Sequence, residues 1–319
     1  MDMKKIGPEI KTLVRSLAIL SALLVAGLHA APAHAINFHS WVSHNGSDAN
    51  ACNTDSPCRS FSRALTQTND GGEIGCLDSG SFLDVGSPDA FTITISVTIN
   101  CSGTVAIPNP DIAVICSNPS ILINAPGKVV TLRGLNLSGG CQSDGIFVEA
   151  AMAVFIEDCV IENFSDKGVV DTRTTGLTKL AIKNTIVRNN LSAGIVVAAA
   201  PKNSAVLENV HSVGNAFGIA VAAGNNVVIN RSVMSENKVA GVEVDPGGYA
   251  FVDNTEVSQN ASYGIYALGT VGLANSDIAF NTSSISGATM SYGNNRLFMN
   301  GAGTAPTPVG ATSTDFGQQ

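Results

Sequence analysis

The chain has 319 residues, of which 45% are hydrophobic, 5% aromatic and 13% charged, and it contains 32 glycines. A helical globular protein would carry more leucine, lysine and glutamate, so this composition favours short apolar strands joined by many turns. The formal net charge of −8 at pH 7 argues against nucleic acid and against an anionic membrane surface as partners.

Residues 1–35 have the pattern of a secretory signal peptide. Four basic residues precede the apolar run SLAILSALLVAGL, and the small-residue site AHA follows at residues 33–35. This pattern predicts cleavage after Ala35 and a mature protein that is secreted, periplasmic or at the cell surface. The alternative, a membrane anchor, would need a longer apolar run, and we expect no transmembrane segment in the mature chain. After cleavage, 13 basic and 23 acidic residues remain, a net charge of −10.

A frame of similar segments recurs along the mature chain. NTIVRNNLSAGIVV begins at Asn184 and NTEVSQNASYGIYA at Asn254. Each segment follows an apolar strand and holds a polar residue, an asparagine and then a glycine that opens a second apolar strand. The glycines recur every 23 to 26 residues: Gly145, Gly168, Gly194, Gly218, Gly241, Gly264 and Gly287. A period in the low twenties, with strands and turn residues instead of helices, predicts a solenoid of stacked β-coils.

Equivalent positions of the repeat form columns, which lie about 4.8 Å apart from coil to coil in a parallel in-register stack. Two positions before the polar residue the column is apolar: Leu132, Ile156, Ile182, Leu207, Ile229, Val252 and Leu273. The column directly after the glycine is also apolar: Ile146, Val169, Ile195, Ile219, Val242 and Ile265. We expect both columns to form the core. A neighbouring column alternates in sign and should face solvent as stacked ion pairs: Arg133, Glu157, Lys183 and Glu208.

Asparagine and glycine mark the predicted turns. The first polar position is Asp158, Asn184, Asn209, Arg231, Asn254 and Asn275, and the second is Asn190, Asn215, Asn237, Asn260 and Asn281. Asparagine tolerates left-handed backbone conformations, and side-chain amides stacked along the axis can bond as a ladder. We expect the glycine to serve a bend that needs a positive φ. These residues are therefore predicted to be structural.

The repeat resembles that of the pectin lyase-like superfamily of right-handed parallel β-helices. The segment WVSHNGSDANACNTDSPCRSFSRALTQTNDGGEIGCLDSGSF resembles the start of many secreted members, in which a strand precedes a short helix and the first coil. The resemblance implies an all-β, right-handed parallel β-helix of roughly 8–10 coils. It would span residues 36–300, with residues 36–75 as N-terminal cap and first coil, and Phe61, Ala64 and Leu65 as the buried face of the capping helix. Residues 301–319 are predicted to be a flexible tail.

All seven cysteines lie in the part that is predicted to be exported, where disulfides can form. Cys52 and Cys58 lie in one short polar loop and are expected to pair. Two further pairs, Cys76 with Cys101 and Cys116 with Cys141, are each separated by 25 residues. This is about one coil, a separation that suits disulfide geometry. Cys159 would then be a buried, inert thiol.

The superfamily includes pectate and pectin lyases, polygalacturonases, other polysaccharide lyases, epimerases and proteins without known activity. The resemblance would imply calcium held by carboxylates in a lyase and clustered aspartates in a hydrolase, but the sequence shows no acid cluster and no metal site. We therefore expect a monomeric solenoid that binds cell-envelope or extracellular polysaccharide, without a recognisable catalytic site and without a cofactor. The alternatives are a divergent polysaccharide lyase or glycoside hydrolase, with calcium if a lyase, and an adhesin-like solenoid that binds proteins.

Two departures from the columns supply the candidate residues. Asp171 interrupts an apolar column and is followed by Arg173. The structural interpretation is a coil that bulges into a loop, with Asp171 capping a turn or paired with Arg173. The functional interpretation is an acid that faces substrate or calcium in a catalytic site, with Arg173 as a candidate base. The second departure is an apolar outward row, in which Phe147, Glu243 and Tyr266 are candidates for binding a glycan or a protein. Alternatively, a turn or the C-terminal segment covers this row.

Overall fold

The computed structural model describes residues 37–82, 90–104, 119–140, 142–174, 177–198 and 203–309. The predicted signal peptide, Cys116 and Cys141 lie outside these residues. Within them, 17 strands form one hydrogen-bonded sheet and eight form another. The strands pair in parallel throughout the two sheets, as the pairings of successive coils show. No helix in the described part of the chain is long and apolar enough to cross a membrane.

Each coil passes through three faces, which we call sheets A, B and C; sheets A and B belong to the 17-stranded sheet. Sheet A contains β3 (Phe91–Ile93), β9 (Val169–Asp171), β12 (Ala193–Val197), β15 (Phe217–Val221) and β18 (Ala240–Val244). Sheet B contains β1 (Asn37–Val42), β2 (Thr68–Cys76), β4 (Val97–Asn100), β10 (Lys179–Lys183), β13 (Ser204–Glu208), β16 (Asn226–Asn230), β19 (Tyr249–Asp253) and β25 (Thr307–Pro308). Four long strands run from sheet A into sheet B: β5 (Ile121–Arg133), β7 (Ile146–Glu157), β21 (Tyr263–Ala274) and β23 (Ser283–Ser291). Sheet C contains β6 (Asn136–Ser138), β8 (Val160–Glu162), β11 (Ile186–Arg188), β14 (His211–Val213), β17 (Val233–Ser235), β20 (Glu256–Ser258), β22 (Asp277–Ala279) and β24 (Arg296–Phe298).

The core lies between the three sheets and includes the two predicted apolar columns together with inward residues of sheet C such as Ile161 and Val187. In sheet B, Ile156, Ile182 and Leu207 lie opposite one another in successive coils. Every residue of both predicted columns is at most 1% exposed. Burial of an aliphatic side chain contributes about 1.5–3 kcal/mol, so the repeated columns supply most of the stabilisation of each coil. The predicted parallel β-helix is confirmed, and eight coils of the described chain carry a strand in sheet C.

The turn from sheet B to sheet C has the predicted conformation. Its polar residue has a φ between 48° and 54° in six coils: Asp158, Asn184, Asn209, Arg231, Asn254 and Asn275. Their side chains also bond along the axis, since Asn184 Nδ2 donates to Asp158 Oδ1 and Asn209 Nδ2 donates to Asn184 Oδ1, both at 3.0 Å. Because asparagine and aspartate adopt left-handed backbone conformations more readily than other side chains, this turn could be found from the sequence.

The turn from sheet C to sheet A differs from the prediction. The positive φ falls one residue before the predicted asparagine, for example at Glu236 and Gln259, while the asparagine side chain points into the core. Each amide bonds to the next coil: Asn237 N–H and Nδ2 both donate to Asn260 Oδ1 at 3.0 Å. The predicted ladder is therefore confirmed, but as a buried column rather than as left-handed turn residues. It also includes Asn300, whose Oδ1 accepts from Asn281.

Each coil has a glycine after this asparagine for a different reason from the one predicted. Of the seven glycines only Gly287 has a positive φ. In five coils a Cβ on the glycine would lie 2.8 to 3.0 Å from the Nδ2 of the ladder asparagine in the next coil: Gly168, Gly194, Gly218, Gly241 and Gly264. The glycine is needed because the ladder amide and a backbone carbonyl of the next coil occupy the space of its side chain. The expectation of a positive φ was wrong at six of the seven glycines, all except Gly287.

The alternating charged column of sheet B is confirmed. Arg133 Nε donates to Glu157 Oε2 at 2.9 Å, and Lys183 Nζ lies 3.8 Å from Glu208 Oε1. These side chains are partly exposed, so each pair contributes at most about 1 kcal/mol. The column therefore specifies the register of the coils more than their stability.

At its N-terminal end the described chain has a six-residue helix, α1 (Phe61–Thr66), whose Ser60 cap accepts a hydrogen bond from Arg63 N at 3.1 Å. Phe61 and Ala64 are buried, and Leu65 is only partly so. The Phe61 ring packs against Phe91 of β3, with 5.7 Å between the ring centroids. The helix thus covers the first strand of sheet A.

The cysteines follow the prediction where they are described. Disulfides join Cys52 to Cys58 and Cys76 to Cys101, with Cα–Cα distances of 4.6 and 4.9 Å. Cys159 is a buried free thiol, and burial raises its pKa to about 12. A thiol that stays protonated at neutral pH is a poor nucleophile.

Part of the segment that the sequence assigns to a flexible tail continues the β-helix. Thr307 and Pro308 form β25, which pairs with Met290 and Ser291 of β23, and Val309 N–H donates to Ser291 O at 2.8 Å. The Gly-, Thr- and Pro-rich composition concealed this strand, because its hydrogen bonds come from the backbone. Residues 310–319 lie outside the described chain.

We expect Asn237→Ala to destabilise the protein by about 2–4 kcal/mol, because it leaves the buried Asn215 N–H without its acceptor and removes the bonds to Asn260. Urea-induced unfolding followed by circular dichroism would measure the loss. Lys238→Ala, a change at the exposed neighbour, is the control and should alter stability by less than about 0.5 kcal/mol. Equal stabilities of the two variants would contradict a stabilising role of the ladder.

Candidate functional site

Asp171 lies in the core. β9 keeps Asp171 in the inward column, between Val148 and Val197 of the adjacent coils. Its carboxylate pairs with Arg173, whose Nε donates to Oδ1 at 2.8 Å and whose Nη2 donates to Oδ2 at 2.5 Å. Both side chains are 1% exposed. The predicted pairing of the two residues is confirmed, and Asp171 itself lies within β9. The segment between β9 and β10, where the sequence predicts a loop, is only partly within the described residues.

The guanidinium of Arg173 also organises the backbone around the following turn. Its Nη1 donates to Ala151 O at 3.3 Å and to Lys179 O at 3.2 Å. These bonds connect the turn after β9 to β7 and to β10. Asp171 and Arg173 therefore have their polar atoms engaged inside the protein, and they share no exposed cleft with Glu243.

The outer row of sheet A contains the candidate binding residues. The register places six outward residues in one line: Phe147, Val170, Val196, Ala220, Glu243 and Tyr266. At about 4.8 Å per coil, Phe147 lies about 19 Å from the position of Glu243. Tyr266 is directly opposite Glu243 in the next coil. The structure thus brings Glu243 and Tyr266 together and leaves Phe147 at the far end of the row.

Tyr263 joins this group. Its ring is stacked on Tyr266 with 4.9 Å between the centroids and 13° between the planes. Strict strand alternation would place residues three apart on opposite sides of a sheet. Gly264 and Ile265, however, are both buried, because the glycine lies against the asparagine ladder. Tyr263 and Tyr266 therefore both face outward, on either side of two inward residues. Tyr263 was missed from the sequence because strict alternation was assumed there.

The carboxyl group of Glu243 is half-buried beside the two tyrosines. Burial, and to a lesser degree the negative charge of Asp245, raises the pKa of Glu243. Within the described chain no residue forms a hydrogen bond or an ion pair with this side chain. The group is thus a free acceptor next to a flat aromatic surface, and it holds a proton more readily than an exposed glutamate.

A calcium site, which a lyase of this superfamily would imply, is not built by these carboxylates. Asp166 is paired with Lys167, Asp171 with Arg173, and Glu243 has only Asp245 near it. In the described residues no three His, Cys, Asp or Glu side chains come together as metal ligands.

Comparison with known proteins relates the fold to polysaccharide-acting enzymes. A family model for the "Right handed beta helix region" matches residues 119–285. The structure is similar to pectate lyase Pel9A (13% identity, 87% of this chain and 80% of that chain, TM-score 0.62). It is also similar to a rhamnogalacturonan lyase (11%, 87% and 88%, 0.58) and to an alginate lyase from Paenibacillus sp. str. FPU-7 (15%, 84% and 100%, 0.56). A search of curated proteins found no match.

We expect Asp171→Ala to destabilise the protein by about 3–5 kcal/mol, because Arg173 would become an unpaired charge in the core. Urea-induced unfolding measures the effect. The double variant Asp171→Val, Arg173→Met restores an apolar column like that of Val148 and Val197, and should recover most of the loss. An Asp171→Ala variant as stable as the wild type would show that the ion pair has no structural role.

Stability should also depend on the ionisation of Glu243. Because its pKa in the folded state is raised above the ordinary 4.5, Glu243 stabilises the fold fully below pH 4.5, and this contribution is lost as the pH rises through the folded pKa. Glu243→Gln should therefore have a higher melting temperature than the wild type at pH 7 and little advantage below pH 4.5. Thermal melts across this pH range, with Glu236→Gln as the exposed-charge control, test this. A difference that is constant with pH would contradict the shift.

Proposed function

The chain belongs to the right-handed β-helix family, and on this scaffold we propose that it binds cell-envelope or extracellular polysaccharide through the outer face of sheet A. We place the main contact at Glu243, Tyr263 and Tyr266. The two disulfides of the described chain suit an oxidising compartment, and this supports a location outside the cytoplasm, where such polymers occur.

The observation that carries this proposal is the free carboxyl group beside two stacked tyrosines. The tyrosine rings offer flat apolar surface together with polar hydroxyl groups, which suits the C–H face of a sugar ring. The Glu243 carboxylate can accept hydrogen bonds from sugar hydroxyls, and such charge-assisted bonds are stronger than neutral ones. A protein partner could use the same rings and pair an arginine or lysine with the carboxylate, so the choice of a glycan rests on the solved structures to which the chain is similar.

The remainder of the row suits an extended polymer. Between Phe147 and Glu243 this row holds small or aliphatic residues, of which Val196 and Ala220 are partly exposed and Val170 is buried. The line from Phe147 to Tyr266 spans about 24 Å. Three of the similar structures are lyases named for pectate, rhamnogalacturonan and alginate, which supports a polysaccharide rather than a small molecule as the ligand.

The charges favour a neutral polysaccharide. Asp245 lies next to Glu243 and raises its pKa, so a uronate carboxylate at this point would meet two acidic groups. The predicted mature chain carries a net charge of −10, which also disfavours a polyanion.

A second candidate function is a divergent polysaccharide lyase or glycoside hydrolase. It is favoured by the raised pKa of Glu243, because a carboxyl group that is protonated nearer to neutral pH is suited to general acid–base chemistry. Such an enzyme would use Glu243 as its acid or base at the same face. A lyase would be expected to use calcium, and the glycan-binding proposal stands without turnover.

We expect Tyr266→Ala to weaken binding of a neutral oligosaccharide about tenfold, a loss of about 1.4 kcal/mol, because one of the two stacked rings is removed. Isothermal titration with β-1,4-linked hexamers of glucose, xylose and N-acetylglucosamine, and with polygalacturonate, would measure affinity and selectivity. Phe38→Ala, which removes an exposed ring from β1, is the matched control and should leave affinity unchanged.

Turnover is tested on the same glycans through new reducing ends and the absorbance of unsaturated ends. Cleavage that is lost in Glu243→Gln would establish the enzyme. Preferential binding of polygalacturonate, or equal affinities of Tyr266→Ala and wild type, would contradict a neutral-glycan site at this face.

A further inference from the structure

Sheet B carries an aromatic groove on its outer side, away from the site on sheet A. The groove has a volume of about 230 Å³. Tyr249 and Val228 form its exposed edge, with 51% and 40% of their surface accessible. Phe251 and Tyr292 form its wall, edge to face with 5.6 Å between the ring centroids.

Gly272 creates the space for these rings. It follows Phe251 in the outward row of sheet B and precedes Met290. A Cβ at this position would lie 2.8 Å from Phe251 Cδ2 and 3.2 Å from Tyr292 Cε2. The two rings therefore lean over bare backbone, and a side chain here would push them outward into the groove.

The groove combines aromatic surface with uncharged polar groups. Asn226 and Thr270 flank Tyr249 in the neighbouring outward row, and both are exposed. Within the described residues their side chains have no hydrogen-bond partner. None of the residues that line the groove is charged. The column of Arg133, Glu157, Lys183 and Glu208 lies on the same outer face of sheet B, nearer the ends of the strands.

We propose that this groove is a second glycan-binding site, which takes a single neutral pyranose unit. The C–H face of the sugar stacks on Tyr249 and Phe251, and its hydroxyl groups bond to the Asn226 amide and to the Thr270 hydroxyl. The volume is below the 300–1,000 Å³ that is usual for ligand pockets, which fits one ring rather than a chain. The site is independent of the one proposed on sheet A.

The chemistry of the groove favours a sugar over a protein surface. Free amide and hydroxyl groups directly beside the rings match a ligand with a hydroxyl at nearly every carbon. The absence of charge among the lining residues matches a neutral sugar and gives a uronate no cationic partner. A second copy of this chain would have to supply hydrogen-bond partners to Asn226 and Thr270 when it covered them, because each buried group left unsatisfied costs about 1–3 kcal/mol.

Isothermal titration of the full chain with the three neutral hexamers distinguishes the two sites by stoichiometry. We expect two sites for each wild-type chain. In Tyr266→Ala the sheet A site, and in Tyr249→Ala the sheet B site, should bind about tenfold more weakly, so that only the other site is filled at the concentrations that fill both wild-type sites. The double variant should fill neither site at these concentrations. Gly272→Ala should weaken the sheet B site about tenfold without affecting the sheet A site, and Phe38→Ala should behave as the wild type.

The remaining outcomes are also decisive. If Tyr266→Ala abolishes all binding while Tyr249→Ala changes nothing, the sheet B proposal fails and the sheet A proposal stands. The reverse result supports the groove and removes the proposal for sheet A. A wild type that binds none of the hexamers overturns the groove as a sugar site. Self-association in analytical ultracentrifugation that is lost in Tyr249→Ala would overturn it too, and would identify the groove as an interface between copies.

Discussion

The close approach of the ladder asparagine to the glycine of the preceding coil is the constraint on which the rest of the structure depends. The amide of Asn260 lies where a side chain on Gly241 would be, and its oxygen accepts two hydrogen bonds from Asn237. A buried amide is tolerated only when its bonding groups are satisfied. Neighbouring coils can therefore meet at this corner in only one register.

This constraint determines where outward side chains can be placed. The glycine and the residue after it both face inward. The first side chain of the strand to face outward is therefore the one after them, for example Glu243 or Tyr266. The same corner brings Tyr263 against Tyr266. The turn from sheet A to sheet B contains no ladder asparagine. Its length differs between coils, from the short connection at Leu268 to the longer segment that Arg173 holds by hydrogen bonds. The ladder thus keeps the surface regular at one edge and leaves variation to the other.

The sequence was sufficient for the fold because the same physical requirement recurs in every coil. The columns through Ile182 and Ile195 could be found by counting, and so could the left-handed turn at Asn184. The role of Gly241 could not be found by counting, because it depends on the position in space of the Asn260 amide, which lies 19 residues later in the chain. Asp171 is an intermediate case. Its pairing with Arg173 was one of the two predicted interpretations, but the burial of the pair inside the core was not predicted. The place of Tyr263 depends on the two inward residues that follow it, and the groove at Gly272 depends on side-chain packing across coils, neither of which a repeat frame describes.

The interlocking of glycine and asparagine also bears on how such a chain can change in length. Every contact in it joins one coil to the next, and the partners are the same from Gly168 to Gly264. One whole coil is therefore an exchangeable unit: its duplication or removal would present each neighbour with an equivalent partner, whereas the loss of a few residues would break the column. The outer surface of sheet A can thus lengthen in steps of one strand, while the local chemistry of each step is set by a single outward residue.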